Sequence, residues 1–152
     1  MATAVFVDST TILYTQDQRF PAKQERSTRW LRNLLSSQRM AVNLQVLNET
    51  YAVVSRKPDF ARWRPTVRTF IQDSLIWATP PLDVSALAEA WALEDRYQIS
   101  FWDSMVLVSA NRAGCAYFLS EDLNDGQVYG AVQAINPFRH TPEDVLGAAA
   151  RP

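Results

Sequence analysis

Short, continuous apolar runs separated by helical patterns are the feature that most limits what this chain can fold into. Residues 4–7 and 116–119 are such runs, and residues 131–135 form a weaker third. Runs of this kind are typical of strands buried on both faces, as in a parallel sheet covered by helices. Residues 40–42 and 76–78 are two further candidate strands, each following a predicted helix.

The segments between these runs carry apolar residues at spacings of three and four, which predicts amphipathic helices. Asn43 and Asp83 are well placed to cap two of them, and Pro65 fits only in a first turn. No helical pattern directly follows the first strand, and the stretch from Arg139 onward is predicted to be a tail with at most a short helix. Helices are expected over residues 23–37, 44–56, 62–75, from Asp83 to about Tyr97, and 103–113.

Helices that alternate with short buried strands predict an α/β fold with a mostly parallel central sheet flanked by helices. The chain has 152 residues, 47% of them hydrophobic, which suits one domain with a real core. We therefore predict a single domain over residues 1–138 and a C-terminal tail over residues 139–152. No apolar run is long enough to span a membrane and residues 1–6 do not resemble a secretory signal, so we expect a cytoplasmic protein.

Four acids lie directly after a predicted strand or near the start of a predicted helix. Asp8 follows the first strand, Asp122 follows the 116–119 strand, Glu49 lies early in the helix after residue 42, and Asp103 opens the most apolar helix. Ligands of open α/β sheets bind at the carboxyl ends of the strands, so these acids are expected at one edge. Which of Glu121, Asp122 and Asp125 points inward is left open by the pattern.

Clustered carboxylates repel one another and need a cation. With one Cys and one His in the chain, the ligands would all be oxygen, which favours Mg²⁺ or Mn²⁺ and suits phosphodiester hydrolysis. A plainer interpretation is that Glu49 and Asp103 merely cap helices or complement their dipoles.

The charge is unevenly distributed although the net charge is only -1. Residues 19–68 carry eleven basic residues and three acids, a net +8, whereas residues 69–138 carry a net -7. Thirteen of the fifteen basic residues are Arg, and Trp30 and Trp63 lie among them, a mixture that suits phosphate contacts and base stacking. The basic half is expected to hold RNA, although an Arg-rich solvated surface is the competing interpretation.

Several segments resemble the PIN-domain nucleases, most closely the VapC-type toxins of toxin-antitoxin pairs. They are Phe6-Val7-Asp8-Ser9-Thr10, Asn43 to Tyr51 with Glu49, Ile99-Ser100-Phe101-Trp102-Asp103-Ser104, and Leu119-Ser120-Glu121-Asp122, closing at Asn136-Pro137-Phe138. The resemblance spans roughly residues 4–138.

The resemblance implies a Mg²⁺- or Mn²⁺-dependent endoribonuclease, a homodimer, inhibited by an antitoxin whose peptide occupies the acidic groove. The family's four acids correspond to Asp8, Glu49, Asp103 and Asp122, the same four that the strand-end pattern selects. Thr10 stands where the family usually has Asn, and it supports an alternative hypothesis, a PIN-like module that binds RNA or protein with little catalysis. Phosphatase, receiver and P-loop alternatives lack their own Asp, Lys and Gly-rich motifs.

Overall fold

A five-stranded sheet with the order β2-β1-β3-β5-β4 forms the centre of the protein in a computed structural model that describes residues 3–147. All neighbouring strands are parallel except β4 and β5, which form an antiparallel hairpin. The predicted α/β fold is therefore confirmed. The strands are β1 (Val5–Val7), β2 (Met40–Ala41), β3 (Tyr117–Leu119), β4 (Val128–Tyr129) and β5 (Val132–Ile135).

The strand order places a crevice between β1 and β3. From β1 the chain goes to β2 on one side of the sheet and then returns to β3 on the other side, so the carboxyl ends of β1 and β3 form a switch point. Val7 pairs with Leu119 at the end of the shared ladder. The next residues, Asp8 and Ser120, therefore leave the sheet side by side.

The two longest buried runs form the core, as their apolar sequences predict. Val5, Phe6 and Val7 are completely buried, and the rings of Phe6 and Phe118 stack across β1 and β3 with centroids 5.5 Å apart. Trp30, on the second of the two helices between β1 and β2, is buried against this sheet. Helices cover the faces of the sheet, so most of its residues are buried.

Within residues 3–147, seven α-helices surround the sheet, and most of them occupy predicted positions. Asn43 caps its helix by accepting a hydrogen bond from Val46 N–H, and Pro65 lies in the first turn of another helix, both as predicted. The helices are α1 (Ser9–Tyr14), α2 (Pro21–Ser36), α3 (Leu44–Arg56), α4 (Arg64–Ser74), α5 (Ala86–Tyr97), α6 (Phe101–Arg112) and α7 (Pro142–Leu146). A 3-10 helix at Pro58–Trp63 joins α3 to α4.

Helix α1 corrects the expectation that no helix follows the first strand. It has only six residues, too few to show a helical period in the sequence. Its N-cap is Asp8, whose side chain accepts a hydrogen bond from Thr11 N–H at 3.1 Å. Helix capping, which the sequence suggested for other acids, is thus a real function of Asp8.

Two other local predictions are wrong. Residues 76–78 do not form a strand, because Leu75–Trp77 is a 3-10 helix and only Ala78 makes a single bridge to Val42. Asp83 does not cap α5, which begins at Ala86 after Ser85. Asp83 instead accepts hydrogen bonds from Ser85, a local turn that competes with helix formation.

The segment after β5 packs against the domain as far as it is described. Trp30 Nε1 donates hydrogen bonds to the carbonyls of Pro137 and His140, and Arg29 on α2 forms an ion pair with Glu143 on α7 at 2.9 Å. The boundary at residue 138 stays a prediction, and residues 1, 2 and 148–152 of the two predicted segments lie outside the described residues.

Candidate acidic site at the strand ends

Asp8 is the most perturbed acid of the site. It is only partly exposed at the end of β1, and burial raises its pKa to about 7. The charge of Asp122 raises the pKa further, whereas hydrogen bonds from Thr11 N–H and the Ser120 hydroxyl act in the opposite direction. A carboxylate that resists ionisation at neutral pH lacks a compensating cation.

Asp122 faces Asp8 from the loop after β3. The hydroxyl of Ser120 accepts a hydrogen bond from Asp122 N–H at 3.1 Å, which holds this loop over the strand end. Partial burial raises the pKa of Asp122, and repulsion from Glu121 and Asp103 adds to the effect. Asp122 therefore lies within electrostatic reach of both Asp8 and Asp103.

Asp103 occupies the first turn of α6 rather than its cap. The N-cap is Ser100, whose hydroxyl accepts a hydrogen bond from Asp103 N–H at 3.1 Å, and the helix begins two residues earlier than predicted. The capping interpretation of Asp103 is therefore wrong, although its charge still lies at the positive end of the α6 dipole. The Asp103 carboxylate therefore does not cap the helix, and it lies close enough to Asp122 to repel it.

Glu49 approaches the site from α3. It lies in the second turn and is not a cap, since Asn43 has that role. Its Oε2 accepts a hydrogen bond from the Ser9 hydroxyl at 3.3 Å, which places it beside the residue that follows Asp8. Gln45, one turn earlier on α3, donates a second hydrogen bond to Oε1, so both carboxylate oxygens have a partner.

The four predicted acids thus lie around one strand-end crevice. Their donor atoms are carboxylate oxygens that repel one another, the chemistry that attracts a hard divalent cation such as Mg²⁺ or Mn²⁺. Within residues 3–147, however, no three acidic, His or Cys side chains are gathered closely enough to enclose a metal ion as they stand. The donor set fits a divalent cation, and binding one requires these carboxylates to draw together.

The other two acids in question already have partners. Glu121 Oε2 accepts a hydrogen bond from Lys23 Nζ at 2.8 Å. Asp125 lies 2.7 Å from His140 Nε2 and also accepts a hydrogen bond from Asn136 N–H. Both carboxylates therefore have hydrogen-bonding partners of their own.

Lys23 is a residue that the sequence did not single out. Its ammonium group lies 4.8 Å from the ring centroid of Tyr14 and 4.9 Å from that of Phe138, and the hydrogen bond to Glu121 raises its pKa. Its charge also offsets part of the rise in the pKa of Asp122. No spacing rule could have joined these residues, because Phe138 is more than a hundred positions from Lys23.

Basic residues of the Arg-rich segment line two separate pockets. One is on the outer face of α2, where Arg29 and Arg32 line an open depression of about 870 Å³ with Glu143. The other begins next to the acids, where Arg19 and Lys57 line a small pocket of about 170 Å³ with Thr10 and Tyr14. Only the second pocket lies beside the crevice.

A parallel sheet with acids at its switch point defines an α/β domain of the kind that binds its ligand at the strand ends. A sequence profile of the PIN domain matches residues 5–129. The chain belongs to the PIN domain family. A comparison with curated proteins gives no significant match.

Two solved structures have the same fold. One is FitAB bound to an IR36 DNA fragment, with a TM-score of 0.69 and 15% identity over 88% of this chain and 95% of that chain. The other is VapC20 of Mycobacterium tuberculosis, a sarcin-ricin loop cleaving toxin, with a TM-score of 0.56 and 17% identity over 86% of this chain and 99% of that chain. Within residues 3–147, no helix is long and apolar enough to cross a membrane.

Proposed function

We propose that the protein is a Mg²⁺- or Mn²⁺-dependent endoribonuclease and the toxin of a toxin-antitoxin pair. The observation that carries the proposal is the partly buried, uncompensated carboxylate of Asp8, whose pKa is raised to about 7 beside Asp122. Membership of the PIN family and the likeness to a toxin that cleaves the sarcin-ricin loop support the same activity.

Asp8, Asp103 and Asp122 would hold the metal, with Glu49 at the α1 end of the crevice. When bound, a divalent ion activates water and stabilises charge on a phosphodiester. The chain itself orients the carboxylates: Thr11 N–H fixes Asp8, and Ser9 with Gln45 fixes Glu49. Lys57 supplies positive charge for the RNA backbone, together with Lys23 and Arg19, which exchange their pairing with Glu121 and Asp17 for phosphate.

The test is cleavage of ribosomal and transfer RNA by the purified chain with Mg²⁺, Mn²⁺ or EDTA. We expect cleavage with either metal, none in EDTA, and none from Asp8→Asn or Asp103→Asn, which keep the shape and remove the charge. Asp83→Asn is the matched control, because Asp83 already pairs with Arg112. Cleavage by Asp8→Asn at the rate of the unchanged protein would contradict the proposal.

The antitoxin is tested in cells. We expect expression of the chain to arrest growth, the small protein of the neighbouring reading frame to restore it, and Asp103→Asn to grow normally. Growth arrest by Asp103→Asn would separate toxicity from the acidic site. The homodimer is tested by light scattering of the purified chain, where a monomer at micromolar concentration would contradict it.

A second candidate is a PIN-like module that binds RNA or a protein partner with little catalysis. Thr10 favours it, because among the hydrogen bonds of residues 3–147 none joins the Thr10 side chain to a carboxylate. The acids are also not gathered around a metal position. RNA binding without metal-dependent turnover, in protein free of antitoxin, is its expected result.

A further inference from the structure

A shallow pocket adjoins the acids at Glu49. It lies between α3 and the first turn of α6, has a volume of about 510 Å³, and is lined by Leu44, Gln45, Asn48, Glu49 and Trp102. The side chains of Leu44 and Trp102 are 66% and 65% exposed. Two large apolar side chains on the surface beside a functional edge are poorly explained by packing alone.

Trp102 is held in place although it is exposed. The ring of Phe101 packs against it edge-on, with centroids 5.4 Å apart at 61°. Its backbone carbonyl accepts a hydrogen bond from Gln45 Nε2 at 3.4 Å, which links the start of α6 to α3. The indole thus presents a flat, largely exposed ring, and Asp103 is the next residue along the helix.

The charge of the pocket selects the part of a nucleotide that it can accept. Glu49 forms part of its wall, and none of its five lining residues is basic. A phosphate group would be repelled there, and Lys23, Arg19 and Lys57 are not among the residues that line the pocket. A neutral, flat group is therefore favoured next to Trp102.

We propose that this pocket binds an unpaired nucleobase of the RNA, next to the phosphodiester that is cleaved at the acidic site. The base stacks on Trp102 against Leu44, and the amide oxygen of Gln45 and the amide of Asn48 are within the pocket to hydrogen-bond its edge. The inference rests on the proposed function, since it assigns a base of the substrate to a pocket beside the acidic site.

The experiment measures binding of a fluorescein-labelled, 12-nucleotide single-stranded RNA of mixed sequence to the full chain in EDTA, so that no cleavage occurs. We expect Trp102→Leu to weaken binding by about 5- to 100-fold and Trp102→Phe by much less, because phenylalanine keeps a stacking face. Trp91→Leu is the matched control, since Trp91 is 53% exposed on α5. It should bind RNA normally.

A scan of abasic sites along the same RNA tests the contact directly. For the unchanged protein, we expect one abasic position to lower RNA affinity by as much as the Trp102→Leu substitution does. In the Trp102→Leu variant, the same abasic position should cause no further loss of affinity. Equal binding by Trp102→Leu, or an equal loss at every abasic position, would overturn the proposal. So would a Trp102→Leu protein that becomes monomeric by light scattering while its RNA affinity is unchanged, because the pocket would then be a protein interface.

The two proposals fail separately. If the chain binds RNA with this coupling but never cleaves it with metal, the base pocket stands and the nuclease activity does not. If cleavage depends on metal and Asp103 but the coupling is missing, the nuclease activity stands and the base pocket does not.

Discussion

Two groups of acids in this protein have opposite electrostatic environments. At the strand ends, Asp8 and Asp122 face each other with raised pKa values. At the far end of α6, Arg112 donates hydrogen bonds to Glu89 at 2.9 Å and 3.0 Å and lies 3.4 Å from Asp83. The pKa of Asp83 is lowered by hydrogen bonds from Ser85 and Arg112.

The difference lies in what each group still lacks. The Arg112 cluster contains its own cation and joins α5 to α6, so it needs no ligand to be stable. The strand-end acids leave negative charge uncompensated in a partly buried place, which costs stability and creates affinity for a cation. The same residue type is structural in one cluster and a candidate functional group in the other.

The largest expected effect separates the two groups by activity. Asp122→Asn should lower RNA cleavage on the order of 100-fold or more, because it removes a charge that would hold the metal. Glu89→Gln should leave the rate unchanged. Initial rates at saturating Mn²⁺ measure both variants, and an equal loss in both would show that the clusters are not functionally distinct.

The next effect concerns stability and its dependence on pH. Because the pKa of Asp8 is about 7 in the folded chain and near 3.8 unfolded, the folded state holds the extra proton between these values, so stability falls as pH rises through that window. Asp8→Asn keeps the helix cap and removes the charge. It should stabilise the metal-free protein by about 2–4 kcal/mol at pH 8 and by little at pH 4.

Urea unfolding in EDTA at the two pH values measures this change, and Asp59→Asn, an exposed acid on the 3-10 helix, is the control. A destabilised Asp8→Asn at pH 8 would contradict the view that Asp8 lacks a cation. Saturating Mn²⁺ should reverse the order of stability, since only the unchanged protein gains the binding energy.

A smaller effect is expected from Lys23. Replacing it with Met removes a charge that lowers the pKa of Asp122 and releases Glu121 from its ion pair. We expect RNA binding to weaken by about 3- to 10-fold with a shallower salt dependence, because one phosphate contact is lost. Lys57→Arg, which keeps its charge, is the comparison, and titrations at three salt concentrations measure the slope. An unchanged slope for Lys23→Met would place Lys23 in a purely structural role.

The smallest effect belongs to the compensated cluster. Arg112→Met leaves Asp83 and Glu89 without their cation and should lower the thermal midpoint slightly, since exposed ion pairs contribute little. The decrease should shrink at high salt, which screens the remaining repulsion. A large loss of RNA cleavage in this variant would contradict the separation of the two groups.

The sheet and the main helices could be predicted because the spacing of apolar residues along the chain indicates them. The run at residues 4–7 is apolar without a break, and Asn43 is followed by a clear helical pattern, so both were identified. Helix α1 was missed because six residues show no period, and Asp8 became its cap unnoticed. Asp83 looked like a cap, but whether a side chain caps a helix or forms a turn depends on neighbours such as Arg112.

The candidate site was predictable only in its acids. Their positions after strands and at helix starts follow from the general rule that parallel strands end at one edge. Lys23, Tyr14 and Phe138 could not be joined, because they meet through the packing of α1, α2 and the segment after β5. Exposure of Trp102 was equally invisible, since an aromatic residue at helical spacing is usually part of the core.

The sequence by itself determined the alternation of strands and helices, the four acids and the uneven distribution of charge, because these depend on residue type and on neighbours along the chain. Only the tertiary structure decided which carboxylates are left without a cation. Burial and repulsion depend on distances across the β1–β3 crevice. Tertiary packing also gave partners to Glu121 and Asp125 and, at the far end of α6, to Asp83 and Glu89.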